Sequence, residues 1–260
     1  MNIKKMLPFL LLLPFSYILA ETPFEDFQKK YPGLIYQDIV IEKDIYSIGT
    51  DLCQPRYELI KPVLDLYDVP FSTLDLGAAQ GYFSFRIAQD YPLSSCFMVE
   101  SNNTSYYSRH GDMLYDLCLA NSHLTNITYF HKRLSLSDLE FFNQKQHFDV
   151  IMAFLVVHLM HDTLKEKIKI IESLLNLGDN LILEVANDVD VIHTAHIEYL
   201  SEHLDCTYLG EVKRHKDTHS TSTGKLFWFQ KKSPQLERVS SLEIDEETAL
   251  RLNLVYPTQK

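Results

Sequence analysis

The stretch Ser72-Thr73-Leu74-Asp75-Leu76-Gly77-Ala78-Ala79-Gln80-Gly81-Tyr82-Phe83-Ser84 decides the reading of this chain. A short apolar strand runs into a turn of small residues, and an amphipathic helix follows from Tyr82 to about Gln89. Phe83 and Ile87 recur at helical spacing on its inner face. Gly77 and Gly81 mark places where the backbone must turn tightly or let a ligand come close. Asp75 stands at the end of the strand, beside the new helix N-terminus.

Spacing separates the ligands that favour such a turn. A phosphate loop of the Walker type needs a Lys-Ser or Lys-Thr after its last glycine, and Tyr82-Phe83 follows Gly81. The dinucleotide fingerprint needs glycine two positions after the first, where this chain has Ala79. An acid inside the approach to the turn also opposes a pyrophosphate, and suits a ligand with positive charge or N–H donors. Leu-Asp-Leu-Gly-Ala-Ala-Gln-Gly-Tyr-Phe-Ser resembles motif I of the class I S-adenosylmethionine-dependent methyltransferases, hydrophobic-D/E-x-G-x-G-x-G. The resemblance implies that Gly77, Ala79 and Gly81 pass under the methionine part of S-adenosylmethionine and that Asp75 helps hold it through nearby groups. Ala79 in place of the middle glycine is the departure.

Further along, Ser95-Cys96-Phe97-Met98-Val99-Glu100 has the pattern of a buried strand ending in a carboxylate. An acid at the end of the second strand of a nucleoside-binding α/β fold can accept both ribose hydroxyls. Glu100 is therefore the candidate for that grip, with a surface acid at a strand end as the plainer alternative.

A chain of 260 residues with 46% hydrophobic content can bury one generous domain. The formal charge of -11 opposes tight, sequence-independent binding to nucleic acid, which depends on neutralising phosphates. Lys213-Arg214-His215-Lys216 is the one basic cluster, read as a solvated hairpin face. Residues 1–20 join a Lys4-Lys5 leader to an apolar run ending at Ala20, the form of a signal peptide or a membrane-associating leader. Pro8 and Pro14 interrupt that run, which is short of the roughly twenty residues a membrane span needs. The expectation is export or membrane association through the leader, or a cytoplasmic protein if the start is mis-assigned. Cys53, Cys96, Cys118 and Cys206 are too few for a disulfide scaffold, and buried thiols are the expectation for Cys96 and Cys118. No pair of them has zinc-finger spacing, so no metal is expected.

In order, residues 21–55 read as an N-terminal extension, with a short acidic helix ended by Pro32-Gly33 and a short β segment from Ile39 to Tyr46. A helix from Gln54 carries Tyr57, Ile60, Val63 and Leu64 toward the core. Strands and helices then alternate: a helix to Ala120 with Met113, Leu114, Leu117 and Cys118 inward, a strand at Asn126–Phe130, and another at Phe148–Phe154. Thr163 and Glu166 form a capping box opening a helix with Leu164, Ile168, Ile171 and Leu175 on one stripe, and Gly178-Asp179-Asn180 ends it. A strand at Leu181–Val185 and a hairpin of Thr207–Val212 with Leu226–Gln230 complete the domain. This is an α/β order with a mostly parallel central sheet, an antiparallel last strand and helices on both faces, matching the Rossmann-like methyltransferase fold. The domain spans residues 56–232, and the tail 233–260 carries one short helix near Glu246 to Leu252.

Methyl transfer from a sulfonium is an in-line displacement, so the protein chiefly positions its reactants. A weakly acidic acceptor also needs a base. The resemblance puts the loop after Phe154 nearest the methyl group. His158 is the candidate base there, with His161 close by. Glu184, a charge inside an apolar strand, is a second catalytic candidate, against the plainer reading of a structural acid. Arg56 is a candidate partner for the methionine carboxylate, since guanidinium holds carboxylate bidentately. Phe154 is counted with the cofactor-binding residues, and Asp138 is the nearest carboxylate to the adenine side. RNA ribose methyltransferases that share the Asp-Leu-Gly-Ala-Ala run use a Lys-Asp-Lys-Glu set that is incomplete here. His193, His196 and His203 share a helix without a completing ligand. The leading expectation is methyl transfer to a small-molecule or glycan-linked acceptor. A non-catalytic nucleoside-binding protein on the same fold is the alternative, and an RNA methyltransferase the third.

Overall fold

The computed structural model describes residues 23–47, 49, 51–101, 109–160, 163–186, 197–198, 200–202, 204–213, 223–231, 246–251 and 254–256, with His158, Leu159, Leu164, Ala186, Glu246, Thr248, Ala249 and residues 254–256 by their backbone alone. The expected leader, His161, His193, His196, His203 and all of the basic cluster except Lys213 lie outside them.

The chain opens with α1 (Pro23–Lys30), the hairpin β1 (Ile39–Ile41) and β2 (Asp44–Tyr46), and α2 (Gln54–Leu64). There follow β3 (Ser72–Leu76), α3 (Tyr82–Asp90), β4 (Ser95–Glu100), α4 (His110–Ala120), β5 (Ile127–His131) and α5 (Leu136–Lys145). Then come β6 (Phe148–Phe154), the short α6 (Val157–Met160), α7 (Leu164–Leu177), β7 (Gly178–Ala186), β8 (Asp205–Lys213) and β9 (Thr223–Gln230). The last elements are α8 (Glu246–Arg251) and β10 (Leu254–Tyr256).

Eight strands form one sheet in the order β10-β5-β4-β3-β6-β7-β9-β8. The five central strands, from β5 to β7, are parallel, whereas β9 runs antiparallel to β7 and β8, and β10 antiparallel to β5. Side chains alternate between faces along each strand. Leu74, Phe97, Ile151 and Leu183 pack into one core with Ile170, Ile171 and Leu174 of α7. Met98, Tyr129, Met152 and Ile182 face the other core, with α2, α3 and α4. Asp75 lies between Met98 and Met152 in register, so it faces α3. Glu184 follows Leu183 and faces α2.

Residues 21–55 contribute Phe27, Tyr31, Ile39, Val40 and Ile41 to the second core, so the extension is built into the domain's packing. Of the stripe expected on α7, Ile171 is buried as read and the Leu164 side chain lies outside what is described, while the rest is displaced by one position. Lys167, Ile170, Ile171, Leu174 and Leu177 are buried, while Ile168 and Leu175 are half-buried. Gly178 does not end α7 with a turn: its φ of −152° is extended, and the helix passes straight into β7. The tail holds a strand that the sequence did not announce, β10, paired with β5 at Leu254–Phe130 and Tyr256–Tyr129. No described helix is long and apolar enough to cross a membrane.

Candidate active site

β3, β4, β6 and β7 end side by side, and the candidate residues gather at their carboxyl ends. The turn after β3 is closed by its own amides and by β4. The N–H groups of Gly77 and Ala78 both donate to the Val99 carbonyl, at 2.9 and 3.1 Å, and Gly81 donates to Ala78 at 2.7 Å. Gly77, Ala79 and Gly81 all have positive φ, at 71°, 53° and 72°. A Cβ on Gly77 would stand 2.6 Å from Cγ2 of Val156, and one on Gly81 2.6 Å from Cε2 of Phe85. Glycine is thus required twice, by conformation and by space. Ala79 takes the same left-handed conformation with a side chain, at a cost of about 1 kcal/mol.

The two carboxylates of the site do different work. Asp75 is buried, and its Oδ2 accepts the Ser84 hydroxyl at 2.8 Å. Ser84 is the third residue of α3, whose N-cap is Gly81, with no side chain to offer. Asp75 therefore ties the strand to the first turn of α3 through the Ser84 hydroxyl. Burial pushes its pKa up to about 7, Ser84 opposes this, and the charge of Glu100 adds to it. Glu100 is half-buried at the end of β4. Its Oε2 accepts the Ala79 N–H at 2.8 Å and its Oε1 the Ser101 N–H at 2.7 Å. Burial raises its pKa, and these two amides pull it back. Each oxygen keeps a further lone pair for a ligand hydroxyl. The structure thus turns Asp75 inward, toward α3, and leaves Glu100 half-buried at the end of β4.

Phe154 is half-buried at the end of β6, its ring 4.5 Å from that of Phe83. The next residue, Leu155, has φ of 54°, which turns the chain out of the sheet. Register sets Phe154 beside Glu184. Oε1 of Glu184 accepts from Nε of Arg56 at 3.1 Å. Both side chains are buried, and Nη2 of Arg56 has no hydrogen-bond partner among the described residues. Burial works against the guanidinium's charge; Glu184, with Cys53 and Asp51, outweighs it and raises the pKa. The structure therefore brings Arg56 and Glu184 together with each other. His158 lies in α6, which follows β6 after Leu155 and Val156, and is placed by its backbone alone. Asp138 serves elsewhere. It forms a capping box with Ser135 at the start of α5 and pairs with Lys132 at 2.9 Å. Those partners outweigh its burial and hold its pKa down at about 2.

One residue at the turn had no reading of its own in the sequence. Gln80, inside the motif, is wholly buried, and its Oε1 accepts the N–H of Gln37 at 2.9 Å. A long polar side chain amid a run of small and apolar residues was the available signal.

Sheet order, the turn and the carboxylate at the end of β4 define the Rossmann-like fold of the class I methyltransferases. No family model matches the sequence, and no curated protein matches it. Among solved structures, the bifunctional kinase-methyltransferase WbdD superposes with a TM-score of 0.54 at 18% identity, covering 70% of this chain and 40% of that one. A WbdD structure with its C-terminal bundle ordered gives 0.58, again at 18% identity, covering 79% and 41%. This chain thus spans about two fifths of the length of the WbdD chains it matches. The N-terminal domain of EvdMO1, crystallised in the presence of SAH and D-fucose, superposes at 0.53 with 13% identity, covering 81% of this chain and 97% of that domain. At such identities the likeness is one of fold.

Proposed function

We propose that this protein is an S-adenosylmethionine-dependent methyltransferase acting on a small-molecule or glycan-linked acceptor. The observation that carries the reading is the bond from the Ala79 N–H to Glu100. It joins the small-residue turn to a half-buried carboxylate that keeps free lone pairs at the strand ends. The residues fit a nucleoside there: positive φ at three alternate positions keeps the turn low, and Glu100 can accept ribose hydroxyls. The EvdMO1 domain, on the same fold, was crystallised with SAH and a sugar.

The cofactor would supply an activated methyl group, and this chain the placement. Gly77, Ala79 and Gly81 would form the floor, Glu100 would hold the ribose, and Phe154 would wall the mouth. Asp75 keeps α3 and the turn in register from below. His158 is the residue proposed to orient the acceptor or take its proton. Glu184, with Oε1 engaged by the Arg56 guanidinium, is better suited to fixing Arg56. That same pairing favours a second reading, a nucleoside-binding protein without turnover. An RNA acceptor is disfavoured by the charge of -11. Export or membrane association through residues 1–20 is part of the proposal, and mass spectrometry of the mature N-terminus tests it.

Calorimetric titration with S-adenosylmethionine and with its demethylated product tests the function. Binding of both, with release of the demethylated product in the presence of an acceptor sugar, is expected. Binding without turnover of any acceptor selects the second reading, and binding of neither refutes both.

A further inference from the structure

The described residues between Leu34 and Cys53 meet the cofactor turn and are tied to it by two glutamines that address each other's backbone. Oε1 of Gln80 accepts the Gln37 N–H at 2.9 Å, and Oε1 of Gln37 accepts the Gln80 N–H at 3.4 Å. Nε2 of Gln80 donates to the Leu34 carbonyl at 3.0 Å. Gln80 has no exposed surface, so each of these groups would be left unsatisfied if the segment moved away.

The segment is anchored on both sides of this contact. Tyr36 stacks on His110 of α4, ring centroids 5.3 Å apart and planes 19° apart. The Asp51 N–H donates to the Tyr36 carbonyl at 2.8 Å, and Asp38 accepts the N–H of Cys53, the N-cap of α2, at 3.3 Å. Ile39, Val40 and Ile41 are buried beyond it. The segment is therefore a fixed strap. It holds Gln80 from one side, while Glu100 holds the preceding residue, Ala79, from the other.

We propose that Gln37 and Gln80 are positioning residues for the cofactor. The strap fixes the peptide groups of Ala79 and Gln80 in the orientation that the ligand meets. The inference rests on the function proposed above. Its physical content is pre-organisation. A turn with two glycines and an alanine at positive φ has many alternatives when free, and ordering it on binding would cost affinity. The strap holds it ordered beforehand.

A purely structural tie would lower stability and leave affinity alone, so affinity is the quantity to read. Gly49 gives a variant remote from the turn, because a Cβ there would stand 2.3 Å from the Gln37 carbonyl oxygen and displace the strap. Titrate the full-length wild type and the variants Q37A, Q80A and G49A with SAH, each well below its own melting temperature. Affinity is expected to fall about tenfold or more in Q80A and G49A, a factor of ten being about one hydrogen bond's net worth, and less in Q37A. Amide hydrogen exchange should quicken together in the peptides covering 34–47 and 77–81 of G49A without ligand. Wild-type affinity in folded G49A and Q37A overturns the inference and leaves the function standing, whether or not Q80A folds. Failure of the wild type itself to bind SAH or S-adenosylmethionine removes both.

Discussion

Arg56 and Glu184, 128 positions apart in the chain, meet as a buried ion pair with Nε and Oε1 3.1 Å apart. The pair ties α2 to β7 beneath the surface. Removing water from two charges costs several kcal/mol for each, and only the partner offsets it. Glu184→Ala leaves an unpaired guanidinium and should destabilise the protein by about 3–5 kcal/mol. Replacing both, as R56M/E184L, should recover most of that loss. Urea unfolding midpoints measure both. The double variant also separates roles. If it folds and keeps turnover, Glu184 is structural; if it folds and loses turnover while still binding SAH, one of the two residues serves the acceptor.

Glu100 gives a sharper test of the site. Its Oε2 holds the Ala79 amide and its Oε1 the Ser101 amide. Glu100→Ala removes an anionic acceptor, and hydrogen bonds to charged groups are worth about 1.5–3 kcal/mol. Affinity for SAH should fall at least tenfold by calorimetry, while the fold, seen by circular dichroism, persists. An unchanged dissociation constant would place the nucleoside elsewhere.

Ala79 occupies the position where the motif carries its middle glycine, and the structure shows why glycine belongs there. Its φ of 53° lies in the left-handed region. Ala79→Gly relieves that conformation but frees the unfolded chain, by about 0.4–1 kcal/mol. The two effects nearly cancel, so stability should stay within about 1 kcal/mol of wild type. Gly77→Ala is the contrast. Its Cβ would meet Val156 at 2.6 Å, and it should lose both thermal stability and SAH binding. Parallel melting curves of the two variants decide the point.

These positions show which parts of the fold were legible in the sequence. Backbone demands are local, so Gly77 and Gly81 announce the turn, and Glu100 stands out because a carboxylate ends a buried strand. The sheet followed from strands that are apolar on both faces. Contacts made across the chain left no such mark. Arg56 and Glu184 each read as separate candidates, since nothing local tells that one faces the other. The stripe on α7 was displaced because Lys167, a charged residue, occupies a buried position that an apolar pattern skips. β10 has three residues, too few for a period, and takes its register from β5.

The C-terminal segment has a role that its polar composition hides. β10 covers β5, which would otherwise be a free sheet edge. Arg251 of α8 lies 4.2 Å above the Phe141 ring and donates to the Ser137 carbonyl at 2.9 Å. Lys132 joins the Arg251 carbonyl at 2.6 Å to Asp138 at 2.9 Å. Arg251→Ala should cost about 1 kcal/mol in urea unfolding, through the cation–π contact. Truncation before Glu246 should expose the β5 edge and favour self-association, visible as a rise in mass by light scattering. A truncated chain that stays monomeric with an unchanged melting temperature would show that β10 protects nothing.

Asp75 should leave a signature in the pH dependence of stability. Its pKa in the folded protein is about 7, raised chiefly by burial, against about 3.9 for an unfolded aspartate. As pH rises, the unfolded chain therefore gives up this proton first. Between about pH 4 and pH 7 the folded state binds more protons than the unfolded one, so this group makes stability fall as pH rises, and above pH 7 its effect is constant. Glu100, also raised, acts in the same sense. Asp138, held down at about 2, contributes its stability above pH 4 and loses it only in more acidic solution, outside this window. Asp75→Asn keeps an oxygen for Ser84 but cannot ionise. An amide in that buried place shifts stability by a constant amount, so the slope carries the information and the offset does not. Unfolding free energies of both proteins from pH 4.5 to 8 should differ by an amount that grows in favour of the variant up to about pH 7 and then levels. A difference that stays flat through that range would mean that Asp75 is already ionised in the folded protein at pH 4.5, with its charge met by something other than Ser84.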